Sequence, residues 1–322
     1  LPHTLAGRKT ALPGPVNASP AWDKIVPHRA PMATTALRTT IFILNPNALR
    51  KALTEKSGIK LVDARPAADF AKGHLPGAIN LLWEDFCESP TCPVQPILHS
   101  PGYWGSLCTE RLQALAQELA DRGLSPEDRI IVVGNGKRDK GREGRIAWML
   151  AYMGAKNVGL LDRGLLEMED LFTLEADADR GSSATWTLTL AENRRCTMED
   201  LAEIKASGES LYLVDTRSHK EFIGDSYDYQ PRRGRIPGSH LFAYDKLFQS
   251  DGSFISRETY LSQLNQEARA ANLVSYCEVG VRAALYALLH EIYTGAVMRV
   301  YDGSIMEWGT NQELPVVTGE PA

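Results

Sequence analysis

Cys277 lies in the segment SYCEVGVRAAL, where an apolar run gives way to a helical pattern. A thiol in such a place can serve as a nucleophile, because the thiolate is its reactive form. Gly280 permits backbone angles that turn successive N–H groups inward. The helix expected from Arg282 would present its unpaired N-terminal amides to the same point. Glu278, Val279, Gly280, Val281 and Arg282 therefore read as an anion cradle around the sulfur. Arg282 adds a fixed positive charge with a planar fork suited to oxyanions. The same cradle would hold a persulfide, Cys–S–S⁻, formed when the thiolate takes sulfur from a donor. A solitary cysteine after a strand is most often a small buried hydrophobe; the glycine and the nearby arginine set this one apart.

Other residue types invite chemistry less strongly. Asp63 and Asp215 each end an apolar run and read as acceptors for backbone N–H groups, with Arg65 and Arg217 pinning the turn beside them. His74, in GHLPGA, reads as structural, and the basic stretch KRDKGREGR (137–145) as a solvated loop, with binding of an anion or a partner as its alternative. Trp83, Trp104 and Trp308 read as core or interface residues. Cys87 and Cys92 form a C-x4-C pair without the second pair or the His ligands that a zinc site needs, so no metal is expected, and the two read as unrelated thiols or as a local disulfide in an oxidising compartment.

The elements that must position Cys277 occur twice. LVDARPAADFAKGHLPGAINL (61–81) matches LVDTRSHKEF (213–222) continued by GRIPGSHLFAY (234–244). RIIVVG (129–134) parallels NLVSYC (272–277), and each leads through a loop into an apolar helix, RIAWMLAYMG (145–154) or RAALYALLHEIY (282–293). VGLLDRG (158–164) parallels MRVYDGS (298–304). Four matched elements in one order indicate a duplicated domain. Short β-branched strands alternating with helical stretches such as TERLQALAQELADRG (109–123) imply an α/β fold, each copy a mainly parallel sheet with helices on both faces. The expected division is an extended Pro-rich arm over 1–40, a first domain over 41–175, a linker over 176–196 and a second domain over 197–322.

Composition limits the function classes. The chain has 322 residues, 43% hydrophobic and 23% charged, as expected of a folded protein with real cores. A net charge of −5 offers no global field toward nucleic acid or an anionic membrane, and no run reaches the ~18–20 apolar residues of a membrane span. Five cysteines do not make a disulfide scaffold. The first residue is Leu, not Met, an end that a cleaved export signal or a truncated start would leave, so cytoplasm and periplasm are both open.

The duplicated Asp-x-Arg…Gly-[His/Arg]-[Leu/Ile]-Pro-Gly pattern, the strand–Cys–loop–Arg–helix and the VYDGS…W ending resemble the rhodanese family. They are similar in particular to its tandem-domain thiosulfate and 3-mercaptopyruvate sulfurtransferases. The resemblance covers about residues 41–322. It implies two rhodanese-like domains, a cleft between them built on the second, and a first domain that is catalytically silent, with Gly134 near the place of the cysteine. From Cys277 to Arg282 the loop is C-x4-R, shorter than the C-x5-R of phosphatases on the same fold, which favours a single outer sulfur over a phosphate. The family places an arginine soon after the second Asp-x-Arg, where this chain has Glu221; Arg217, Arg232, Arg233 and Arg235 are then the candidates to hold a substrate anion. Glu278 would oppose an incoming dianion unless it points to solvent. His99 falls near a first-domain histidine of the mercaptopyruvate enzymes. The stretch EFIGDSYDYQPRRGRIPG resembles bacterial multi-domain thiosulfate sulfurtransferases of the YnjE type and favours thiosulfate as the donor. Implied partners are a small anionic sulfur donor and a thiol, cyanide or thioredoxin-like acceptor, with no cofactor, in a monomer or weak dimer. A mercaptopyruvate sulfurtransferase, a phosphatase and a persulfide-carrying or sensing module that docks a protein partner are the competing readings.

Overall fold

The computed structural model describes residues 39–87, 105–176, 183–226 and 230–321. Nearly all of the expected arm, together with Cys92, His99, Trp104 and part of the linker, lies outside the described residues.

The first unit runs β1 (Thr40–Leu44), α1 (Pro46–Thr54), β2 (Lys60–Asp63), α2 (Ala67–Lys72), β3 (Ala78–Asn80), α3 (Leu112–Asp121), β4 (Arg129–Val133), α4 (Arg142–Tyr152) and β5 (Asn157–Leu161). The second runs β6 (Arg195–Cys196), α5 (Met198–Ser207), β7 (Leu211–Asp215), α6 (His219–Ile223), β8 (Ser239–Leu241), α7 (Arg257–Ser262), β9 (Asn272–Tyr276), α8 (Val281–Thr294), β10 (Arg299–Tyr301) and α9 (Ser304–Thr310). Each unit folds into a five-stranded sheet, in the orders β1-β5-β4-β2-β3 and β6-β10-β9-β7-β8. These are one order written twice, and every strand pairing within them is parallel. Parallel sheets need cover on both faces, so their central strands are apolar throughout; Ile130, Ile131, Val132 and Val133 in β4 are all buried.

The fold is therefore the doubled, helix-flanked parallel sheet expected. Some boundaries differ. β6 lies inside the span read as linker and pairs with β10, because Cys196 is fully buried in the second core. α8 begins one residue early, at Val281, since Gly280 takes the left-handed conformation that caps it.

The two units pack through α4 against α8. Gly144 makes the close approach possible, because a Cβ there would lie 2.4 Å from Cβ of Leu285. One apolar cluster runs through both units and includes Val62, Ile146 and Trp148 with Val214, Leu285 and Tyr286. The ends of β9 and β10 and the start of α8 thus face the first unit.

Candidate functional site

The two Asp-x-Arg motifs build the same corner. Arg65 bonds Asp63 at 2.7–3.1 Å and reaches the carbonyl of Gly73 at 2.7 Å. Arg217 bonds Asp215 at 2.6–3.2 Å and reaches the carbonyl of Gly234 at 2.9 Å. Arg217 and Asp215 are both fully buried, and the Arg217 guanidinium lies against the ring of Tyr276. This placement argues against Arg217 as a substrate ligand: its charge is matched within the turn and no part of it meets solvent.

The other arginine candidates are also engaged. Arg232 donates to the carbonyls of Trp308, Gly309 and Asn311 at 2.8–3.2 Å and so closes the C-terminal end of α9. Arg235 is buried, stacks on Phe222 with 4.4 Å to the ring centre, and donates to the carbonyl of Gly319 at 2.6 Å. Arg233 is exposed and has a partner within the protein. His99 lies outside the described residues. Arg217, Arg232 and Arg235 thus spend their hydrogen bonds on their own turn and on the C-terminal segment rather than on the Cys277 loop.

Cys277 sits at the end of β9 with 1% of its surface exposed. Its N–H donates to Oγ of Ser304 at 3.1 Å, and that hydroxyl donates to the carbonyl of Tyr301 at 2.8 Å. The carbonyls of Cys277 and Glu278 accept from the N–H groups of Ile305 and Met306. The loop is thereby tied to the turn between β10 and α9. Ser304 holds a φ of 55°, rare for a residue with a side chain. Sequence reasoning noted the VYDGS segment but not this role; the strained backbone is visible only in three dimensions.

Gly280 has a φ of 78°, and a Cβ there would lie 2.6 Å from the carbonyl oxygen of Asp302. Only glycine fits. Beyond it, the first-turn N–H groups of α8 have no acceptor inside the helix and point back toward the loop, as at any helix start.

Arg282 is held in a fork. Its Nη1 and Nη2 donate to the two carboxylate oxygens of Glu221 at 3.0 and 2.9 Å, and Glu278 lies 3.8 Å away. Burial would push the Glu221 carboxyl up, but the hydrogen bonds and charge of Arg282, with Ser218, bring it down to about 2. Burial pulls Arg282 down, yet Glu221, the nearby Cys277 sulfur and Glu278 together raise it. Glu278 does not point to solvent; it is 8% exposed and turned toward Arg282. The expected free fork for an oxyanion is therefore occupied by the chain's own carboxylates.

The first unit closes the loop from the other side. A Cβ on Gly105 would lie 2.2 Å from the carbonyl oxygen of Val279, so this glycine abuts the cradle directly. Asp302 accepts from the N–H of Leu107 at 2.8 Å and from Nε of Arg195 at 2.9 Å. Ser106 donates to Glu307 at 3.3 Å, and burial followed by the charge of Asp302 pushes the Glu307 carboxyl up to about 7. Arg145, on α4, donates through Nη2 to the carbonyl of Gly105 and to the Cys87 sulfur.

At the corresponding place in the first unit, the carbonyl of Gly134 accepts from Leu165 as that of Cys277 accepts from Ile305. Gly141 caps α4 with a φ of 77°, as Gly280 caps α8. Two residues beyond each cap stand Glu143 and Arg282. The Glu143 carboxylate is buried, and a Cβ at Gly134 would lie 2.2 Å from its Oε2. Burial pushes this carboxyl up to about 7. The space that holds a cysteine in the second unit is here filled by an acid.

Residues 45–170 and 197–311 both match the rhodanese-like domain family. A thiosulfate sulfurtransferase of Corynebacterium glutamicum is 25% identical over 277 residues, covering 82% of this chain and 86% of the relative. The solved structure of YnjE superposes with a TM-score of 0.66 at 23% identity, over 87% of this chain and 68% of that one. A structure of EanB with a cysteine persulfide and ergothioneine superposes with a TM-score of 0.71 at 17% identity, over 87% and 71%.

Proposed function

The chain belongs to the rhodanese family, a family of sulfurtransferases, and from that premise we propose that it carries sulfane sulfur from thiosulfate to a thiophilic acceptor through a persulfide on Cys277. The observation that carries the reading is the placement of Cys277 between the end of β9 and the glycine-capped start of α8. The thiolate attacks the outer sulfur of thiosulfate; the S–S bond of the donor breaks and its electron pair leaves with sulfite. The new persulfide anion lies against the loop amides and the helix N-terminus, which favour negative charge there. A cyanide ion or a thiolate then takes the outer sulfur as thiocyanate or a new persulfide, and Cys277 returns as thiolate. A small thiol or a reduced thioredoxin-like protein would serve as the acceptor.

The burial of Cys277 favours a small donor over a docked protein in the first step. Glu143, filling the space beside Gly134, supports a first unit without turnover of its own. Intact mass after thiosulfate tests the proposal. We expect the wild-type chain to gain about 32 Da, the mass of one sulfur transferred in the persulfide step, and Cys277→Ser to gain nothing. A wild-type mass that does not move sinks the proposal, and faster pyruvate release from mercaptopyruvate than thiosulfate turnover would reassign the donor.

A further inference from the structure

Arg145 lies in the first unit, on the face of α4 that meets the second, and its side chain has no solvent exposure. Among the described residues its Nε and Nη1 have no hydrogen-bond partner. Nη2 alone is engaged, by the carbonyl of Gly105 and the sulfur of Cys87. Neither is an anion: burial pushes the Cys87 thiol up to about 11, so it stays protonated at neutral pH. The rings of Trp148 and Trp83, centred 4.8 and 5.8 Å from the guanidinium carbon, offset only part of the lost hydration. A buried charge without a counter-ion is among the costliest features a fold can carry.

Its free nitrogen is aimed. A Cβ on Gly280 would lie 2.7 Å from Nη1, so the guanidinium backs onto the turn of the Cys277 loop. On the other side of that loop Arg282 is matched by Glu221 and Glu278, a group of three with a formal charge of −1. The charged side chains on that side therefore add no net positive charge to what the loop amides offer, and the positive charge that no carboxylate among the described residues pairs comes from the first unit.

We infer that Arg145 is the countercharge for anions at the Cys277 sulfur, namely the persulfide and the incoming sulfur oxyanion, acting across the interface through the loop at Gly280. The first unit is then an electrostatic part of the site, and Arg145 is a positioning residue that touches no substrate. This rests on Cys277 as the reacting residue.

The test compares alkylation of Cys277 by anionic iodoacetate and by neutral iodoacetamide in the full chain, followed by mass on the peptide that carries Cys277. In the wild type the iodoacetate-to-iodoacetamide rate ratio should exceed that of the neutral thiol N-acetylcysteamine. Arg145→Gln should lower the ratio about tenfold, the order for one charge removed near a poorly hydrated site, and Arg145→Lys should restore most of it. A purely structural role would slow or speed both reagents together. An unchanged ratio in folded Arg145→Gln overturns the inference, and so does a wild-type ratio at or below that of the small thiol. If the Gln variant does not fold, Arg145→Met, apolar and of similar length, takes its place and should lower the ratio equally. Neither reagent donates sulfur, so this outcome is read separately from the failure of thiosulfate to form a persulfide.

Discussion

Glu221 is where the chain departs most clearly from the expected chemistry of single residues. Read along the chain, it stood in the place of a substrate arginine; in space it takes both Nη atoms of Arg282, 61 residues away. Its own backbone holds it there, since Ser218 and Glu221 form a reciprocal cap at the start of α6. Neutralising this carboxylate frees Arg282 to face the donor. Glu221→Gln, which preserves the cap, should lower KM for thiosulfate by about three- to tenfold, the order for one unit of charge at a partly buried site. An unchanged KM would mean that Arg282 never meets the donor's charge. The pair also carries a pH signature. Because the folded-state carboxyl is depressed to about 2, its stabilisation is complete above the ordinary Glu range and is lost as pH falls from about 4.5 toward about 2. Urea midpoints of wild type and Glu221→Gln should therefore differ most above pH ~5 and converge in acid.

Elements explain which parts of the site were legible in the sequence. Cys277, Gly280 and Arg282 are contiguous on a strand–turn–helix whose pattern is local, and the twin sheets follow from motifs repeated in one order. Ser304, 27 residues from Cys277, and Arg145, on another unit's helix, join the loop only through packing, and no local spacing marks them. The four arginines beside the second Pro-Gly turn looked alike in sequence; the folded turn uses Arg217, Arg232 and Arg235 to satisfy its own carboxylates and carbonyls. The same reasoning distinguishes the twin loops. Gly134→Cys should not create a second persulfide site, because its Cβ would collide with the Glu143 carboxylate. We expect that variant to lose about 1–3 kcal/mol to overpacking. Intact mass after thiosulfate should still show one added sulfur; a second, lost again on alkylating the new thiol, would contradict the filled-loop account.

The whole molecule is two pseudo-equivalent units that exchange contacts. Asp302, at the end of β10, receives the Leu107 N–H from the first unit at 2.8 Å; Asp162, at the end of β5, receives the Phe254 N–H from the second at 2.8 Å. The exchange is symmetric in topology and unequal in consequence. Asp302 also holds Arg195 and packs its carbonyl against Gly280, whereas in the first unit it is Gly164 that abuts Asn135 of the glutamate-filled loop. One apolar cluster crosses the interface, so urea should unfold the chain in a single transition, with turnover and far-UV signal lost together. Against that background the two aspartates separate stability from function. Asp162→Asn strips the charge from one interface hydrogen bond and should cost about 1 kcal/mol, with turnover retained. Asp302→Asn strips the half-buried Arg195 of its ion pair with a fully buried carboxylate as well and should cost about 3 kcal/mol. It should also reduce kcat/KM about tenfold or more, because it loosens the turn on which Gly280 and Arg145 meet. Equal losses of activity in the two variants would mean that the interface matters only for stability and that the sulfur site is complete within the second unit.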